Sequence, residues 1–220
     1  MPGQARSVRY LRPAPNVGEI GAQPMERTVS TPASARPRCS VFMFVSVDGY
    51  IARHDGSIDW LAAVEREGED YGYKRFVEGV DAVVLGRSTY EAVLRAESWP
   101  FEGKRCTVLT HRPLAPKHGE SPFAGTPEAL IEQLGRAGAT HLYVDGGASV
   151  RAFLSAGLID HLTLSVVPIV LGSGIPLFGR EVPQGLLVLE ESRAFSTGLM
   201  QLRYRTALGV GHQRRAAGAE

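Results

Sequence analysis

The chain has 220 residues, of which 44 % are hydrophobic and 21 % charged, with a formal net charge of +1. This is ordinary globular usage and enough chain for one domain with a substantial core. It excludes a broad basic surface for nucleic acid, and no apolar run reaches the ~20 residues that cross a bilayer, so neither nucleic acid nor membrane is an expected partner.

Residues 1–38 contain Pro2, Pro13, Pro15, Pro24, Pro32 and Pro37 and no sustained apolar period. They read as a poorly structured arm, linker-like from 28 onward and without an apolar segment resembling a secretory signal. A β-rich strand follows at 39–47. Next come a loop at 48–60, with Gly49 and Asp55-Gly56, and a helix at 71–78. A buried strand at 81–85 lies between Gly79 and Gly86. The helix expected over 88–96 has Ser88 as its N-cap and Glu91 three positions on, a capping box. After a strand at 105–110, Thr126-Pro127-Glu128 opens a helix that runs to Arg136 and stops at Gly138. A strand at 141–144 leads to a helix at 148–155 ending at Gly157, then to an alternating strand at 159–167. Strands at 185–192 and 199–207, joined through Thr197-Gly198, make an antiparallel hairpin. Residues 209–220 form a frayed tail. The pattern predicts an α/β domain over 39–208, with a mainly parallel central sheet and an antiparallel C-terminal hairpin.

Two cysteines, Cys39 and Cys106, fall within apparent strands and read as reduced and packed. The six histidines are scattered and no Cys/His group has zinc spacing, so no metal is expected.

Two stretches carry the functional signal: VVLGRSTYE (83–91) and LYVDGGASV (142–150). Each is a short apolar strand that breaks at glycine and runs into a helix. Free N–H groups and the positive end of the helix dipole make such a turn a place for an anion. Arg87 adds a cation suited to phosphate. Neither turn is a Walker loop or a complete G-x-G-x-x-G fingerprint. In parallel sheets ligands sit at the carboxyl ends of the strands, so the residues after Val47, Leu85, Leu109 and Val144 should line one cleft.

Five segments, in order, resemble the dihydrofolate reductase-like superfamily, in the branch of the riboflavin-biosynthesis deaminase-reductase C-terminal (reductase) domain. They are FMFVSVDGYIA (42–52), DAVVLGRSTYE (81–91), VLTHRP (108–113), YVDGGASVRAFLSAGLIDHL (143–162) and PIVLGSGIPLF (168–178). The resemblance implies a three-layer dihydrofolate reductase-like fold and a cytoplasmic, homodimeric reductase that uses NADPH. It places Gly86, Arg87, Ser88, Thr89, Gly146, Gly147, Ala148, Ser149 and Val150 at the dinucleotide phosphates, the paired glycines letting backbone approach the cofactor. Arg87 matches the arginine expected near the adenosine 2′-phosphate, with Arg112 a second candidate beside Thr110 and His111. Val45, Ile51 and Ala52 would border the nicotinamide.

Hydride transfer then needs a proton as well. Asp48, in the S-x-D-G motif, and Asp145, matching the acidic residue of riboflavin-type reductases, are the catalytic candidates; each has the alternative role of tying its own turn. Glu65 lies near where folate enzymes keep an acid, and reads otherwise as a solvated helix position. Asp48, Glu65, Trp60, Pro168, Leu171 and Gly172 are the expected substrate contacts. Trp60, Tyr73 and Phe178 could stack on a flat ring or be plain core, and Tyr90 is expected in the core. The folate pattern W-x-x-P-x-D is absent, the 38-residue arm holds no deaminase motif, and Tyr50 and Arg53 stand where the riboflavin branch has a substrate lysine. These departures point to a stand-alone reductase of a small planar heterocycle, either pterin-like or ribosylaminopyrimidine-like. The alternatives are an NADP-binding module without efficient turnover, or a Mg²⁺-dependent phosphate-transfer enzyme, for which no acidic pair is seen.

Overall fold

The computed structural model describes residues 36–206 except 97. The expected arm up to residue 35 and the tail after 206 lie outside the described residues. The arm's last residues belong to the domain: Arg36 pairs with Asp160 at 2.6 Å, and Arg38 opens the first strand.

An eight-stranded sheet forms the middle layer, in the order β5-β4-β3-β6-β1-β7-β10-β9. Its strands are β1 (Arg38–Ser46), β3 (Ala82–Gly86), β4 (Arg105–Leu109), β5 (Ser121–Phe123), β6 (His141–Asp145), β7 (His161–Val167), β9 (Leu187–Ala194) and β10 (Met200–Thr206). Strands from β5 to β7 run parallel, and β10 and β9 add the expected antiparallel hairpin. Helices α1 (Tyr73–Glu78) and α2 (Arg87–Val93) cover one face. Helices α3 (Pro127–Arg136) and α4 (Gly147–Ser155) cover the other. Alternation along the strands separates the two cores. Val41, Val84, Leu142 and Val144 pack with Leu130, Leu134, Val150 and Phe153, whereas Phe42, Val83, Leu85 and Val108 pack with Val77, Tyr90 and Phe101. Cys39 and Cys106 are free, buried and in opposite cores, where burial pushes each thiol up to about 12.

Helix α3 begins as its sequence dictates: the Thr126 hydroxyl accepts from the Ala129 N–H at 3.3 Å, and Pro127 occupies the first turn. The start of α2 does not. Its N-cap is Gly86, in extended conformation with no side-chain cap, so Ser88 lies inside the helix. Glu91 turns to Arg87, one helical turn back, at 2.6 Å instead of closing a capping box. Helix α1 starts at Tyr73 rather than 71, because Gly72 is left-handed (φ 81°) and the Asp70 carboxylate accepts from the Gly72 and Lys74 N–H groups, both at 2.9 Å. The loop after β1 is more ordered than expected. It contains β2 (Tyr50–Ala52), which pairs with β8 (Ile175–Pro176), and a 3-10 helix over Asp59–Val64. These two short strands and β5 are too brief to leave a periodic signal.

One feature of the sheet positions the site. β1 pairs with β6 only from Arg38–His141 to Ser40–Tyr143. β1 continues beside β7 as far as Ser46–Val167, and β6 continues beside β3 to Leu85–Asp145. The two strands therefore part toward their carboxyl ends, at the point where successive connections leave in opposite directions. Such switch points form the ligand crevices of open parallel sheets.

Candidate active site

Four chain segments meet at this carboxyl edge. Register aligns Gly86 with Leu109 and Leu85 with Asp145, so the 86–89 turn, the 110–113 loop and the 145–149 turn are neighbours. The fourth is the 168–174 loop, joined to the end of β1 by a 2.9 Å bond from the Val47 N–H to the Ile169 carbonyl.

The two glycine turns interlock. Gly146 is left-handed (φ 93°), and a Cβ there would collide with the Thr89 hydroxyl. A Cβ on Gly86 would stand 2.9 Å from Ser149 Oγ, and one on Gly147 would stand 2.7 Å from Ile51 Cδ1. The space freed by these glycines is thus filled by protein atoms. They bring the turns together. Exposed and half-exposed polar groups remain for a ligand. The N–H groups of Gly147, Ala148 and Ser149 at the start of α4 have no protein acceptor among the described residues.

Arg87 is held rather than free. Its Nε donates to Glu91, and its Nη1 donates to the Pro113 carbonyl at 2.8 Å and to Thr110 Oγ1 at 3.4 Å. Thr110 Oγ1 also accepts from the Arg112 N–H at 3.1 Å, fixing the loop. The Arg112 side chain is exposed and has no ion pair among the described residues, and His111 beside it is exposed too.

Asp145 ends β6 with its carboxylate on the face that carries Tyr143, two residues earlier. Its Oδ1 accepts from the Gly146 N–H at 2.7 Å. Burial pushes this carboxyl up to about 6, against the opposing pull of that N–H and of the Tyr143 hydroxyl. The phenols of Tyr73 and Tyr143 are raised in turn, first by burial and then by the Asp145 charge. The two rings meet edge to face at 6.2 Å. Sequence reasoning missed Tyr143. Strand alternation would have found it, since residues i and i+2 share a face.

Asp48 does something different. It accepts from Ser46 Oγ at 2.6 Å and from the N–H groups of Leu171 and Gly172 at 3.1 and 2.7 Å. The Ser46 hydroxyl chiefly, helped by the two N–H groups, holds its carboxyl below the usual range. It is a clasp between the first turn and the 168–174 loop. Trp60 is buried in a cluster with Val64, Tyr71, Val167 and Leu199, which corrects its expected contact with substrate. Glu65 is exposed after the 3-10 helix. Val45 and Val150 are core residues of the α3/α4 face, so their side chains are spent on packing rather than cofactor. Ile51 reaches the edge through its contact with Gly147, and Ala52 is buried beneath it. Phe178 is exposed, and Tyr90 is core as expected.

A family model described as the RibD C-terminal domain matches residues 37–201. The chain belongs to that family. It is 38 % identical over 167 residues to the uncharacterized protein YwjB of Bacillus subtilis, covering 74 % of this chain and 95 % of that protein. The crystal structure of a Shewanella protein, named provisionally for riboflavin biosynthesis, shares the fold with a TM-score of 0.71 and 32 % identity, over 77 % of this chain and 98 % of the other. The riboflavin biosynthesis protein RibD of Corynebacterium ammoniagenes is 27 % identical over 172 residues, 69 % of this chain and 49 % of that longer protein. The RibD-type architecture is therefore the dihydrofolate reductase-like α/β fold that the motifs implied, and the chain is reductase-like. No helix among the described residues is long and apolar enough to cross a membrane.

Proposed function

We propose that this RibD-type domain is an NADPH-dependent reductase of a small planar heterocycle, pterin-like or ribosylaminopyrimidine-like, working as a cytoplasmic homodimer. When bound, the dinucleotide supplies the hydride. The observation that carries the reading is Asp145: a carboxyl raised to about 6, at the carboxyl end of a central strand and one residue before the turn that opens α4. A group so placed keeps a usable proton near neutral pH, the property required of a general acid.

The residues suit an elongated ligand with several phosphates. The free N–H groups at the start of α4 donate to a pyrophosphate oxygen, and Thr89 lies against the same turn. Arg112, with the oriented fork of Arg87 behind it, takes the 2′-phosphate. Asp48 holds the 168–174 loop across the crevice, so that the substrate enters between that loop and Asp145 and leaves water outside. The dimer reading draws support from Val188, Leu189 and Met200, large apolar side chains exposed on the hairpin at the sheet edge.

The test is loss of NADPH absorbance at 340 nm with a panel of pterins, ribosylaminopyrimidines and quinones. Turnover with one of these, reduced about 10²–10⁴-fold in Asp145→Asn, is the expected result. Binding without oxidation across the panel favours the module reading, and unchanged turnover in Asp145→Asn removes its assigned role.

A further inference from the structure

The opposite edge of the sheet carries a second concavity. Helix α1 covers only part of its face, and beyond it a cavity of about 400 Å³ opens over the amino-terminal halves of β1 and β7 and the outer strands β10 and β9. That volume lies in the range of small-ligand pockets. Its lining differs from ordinary sheet core. Strand positions facing the α3/α4 layer are apolar, as in Val41, Leu162 and Leu164. Positions facing the cavity include the polar Ser40, Thr163 and Gln201 beside Phe42.

Arginines from four elements surround it: Arg38 of β1, Arg75 of α1, Arg193 of β9 and Arg203 of β10. Glu191 is the carboxylate in the lining. Arg203 is neutralised by Glu190 at 3.5 Å, which also meets Arg205 and His161. Arg38, Arg75 and Arg193 have no carboxylate within ion-pair distance among the described residues. Arg193 is stacked on Phe195 at 4.5 Å, and Arg38 Nη2 lies 3.0 Å from His141 Nδ1, which is also 2.8 Å from the Gly79 carbonyl. Three arginines without an ion-pair partner and a single lining carboxylate, Glu191, leave the cup with an excess of positive charge that an anion between the guanidinium groups offsets.

The remaining wall is aromatic, from Tyr71, Phe76 and Phe42. It is also fixed in place. Gln201 Nε2 donates to the Tyr71 carbonyl at 2.9 Å and to Ser165 Oγ at 3.0 Å. Tyr71 has a left-handed backbone (φ 55°), held by its hydroxyl bonds to the Val64 carbonyl and Thr197. Such a conformation in a bulky residue persists only where its surroundings enforce it.

We propose that this cup binds a phosphate monoester carried on a flat ring, with Arg38, Arg75 and Arg193 taking the phosphate and the aromatic wall taking the ring. The middle of the cup, at Ser40, lies about 20 Å from the carboxyl end of β1 at Ser46, six residues at ~3.3 Å each, and the proposal does not rest on the reductase reading. The test is calorimetric titration of the full chain with phenyl phosphate, inorganic phosphate and phenol. Variants Arg75→Gln, Arg193→Gln, their double and Arg112→Gln are titrated beside the wild type. Phenyl phosphate should bind more tightly than either fragment. Each single cup variant should weaken it about tenfold, the scale of one lost charged hydrogen bond, while Arg112→Gln binds like wild type. Three results overturn the proposal. One is no binding of phenyl phosphate. Another is binding that survives the double variant or is lost in Arg112→Gln, which puts the anion at the other edge. The third is a sedimentation change in the double variant, which makes the cup a contact between copies of the chain.

Discussion

The carboxylate of Asp48 accepts a 2.7 Å hydrogen bond from the backbone N–H of Gly172, 124 residues further along the chain. With its bond to Leu171 N–H, it fastens the 168–174 loop to the end of β1. The carboxyl is held below the usual range, chiefly by the Ser46 hydroxyl. A lowered acid contributes its stabilisation above its ordinary value and loses it as pH falls through the lowered one. The clasp is therefore closed at neutral pH. Asp48→Ala should speed hydrogen exchange at the Leu171 and Gly172 amides and raise KM more than it lowers kcat. Unchanged exchange at those amides would show that the loop holds itself.

Arg87 and Arg112 divide the work at the 110–113 loop. Arg87 is oriented by Glu91 and the Pro113 carbonyl, whereas Arg112 is exposed beside it. Replacing either with Ala should weaken NADPH by about 1–3 kcal/mol, as for a hydrogen bond to a charged group, and leave NADH nearly unaffected. Dissociation constants for both dinucleotides check this. Equal loss for the two would mean that neither arginine reads the 2′-phosphate.

Asp145 is costly to ionise in place. Its folded value, about 6, lies above the ordinary 3.8, so the folded state holds more protons between those values and stability falls as pH rises through that window. Asp145→Asn should remove that slope and raise stability above pH 6 by about 1–3 kcal/mol, at one pKa unit per ~1.4 kcal/mol. If Asp145 supplies the proton, wild-type kcat/KM should also fall as pH rises above about 6. Urea titrations at pH 4, 6 and 8 measure the first effect, and a pH–rate profile the second. A flat stability difference between the two proteins contradicts the assignment.

Gly146→Ala tests the interlocked turns. The substitution puts a side chain at φ 93° and against the Thr89 hydroxyl. Strain and overpacking together should cost about 2–4 kcal/mol. Adding Thr89→Ala should restore part of this by removing the collision and leaving the backbone strain. Denaturant midpoints of the single and double variants decide it, and no recovery would mean that the turns do not touch.

The long elements were legible because each has a strong local cause. Thr126-Pro127-Glu128 starts α3, the run at 39–47 makes β1, and glycines at 86 and 146 end two strands. Convergence at the carboxyl edge followed from parallel alternation alone. Roles decided by distant partners were not legible. Ser88 looked like a cap, but Gly86 takes that position once the turn is pressed against Ser149. Asp48 looked like an acid or a tie within its own turn, and nothing nearby announces its partners at 171 and 172. Trp60 was open between a stacking platform and plain core because its neighbours Val167 and Leu199 lie more than a hundred residues on. The short β2, β5 and β8 exist through pairing, not propensity.

The central claim is that the carboxyl edge holds one reduced nicotinamide dinucleotide by its phosphates. Calorimetric titration of the full chain with NADPH and with NADH tests it most directly. The account predicts one site per chain, a clear preference for NADPH, and loss of that preference in Arg112→Ala. No heat from either dinucleotide with folded protein, or equal affinity for both, would contradict it.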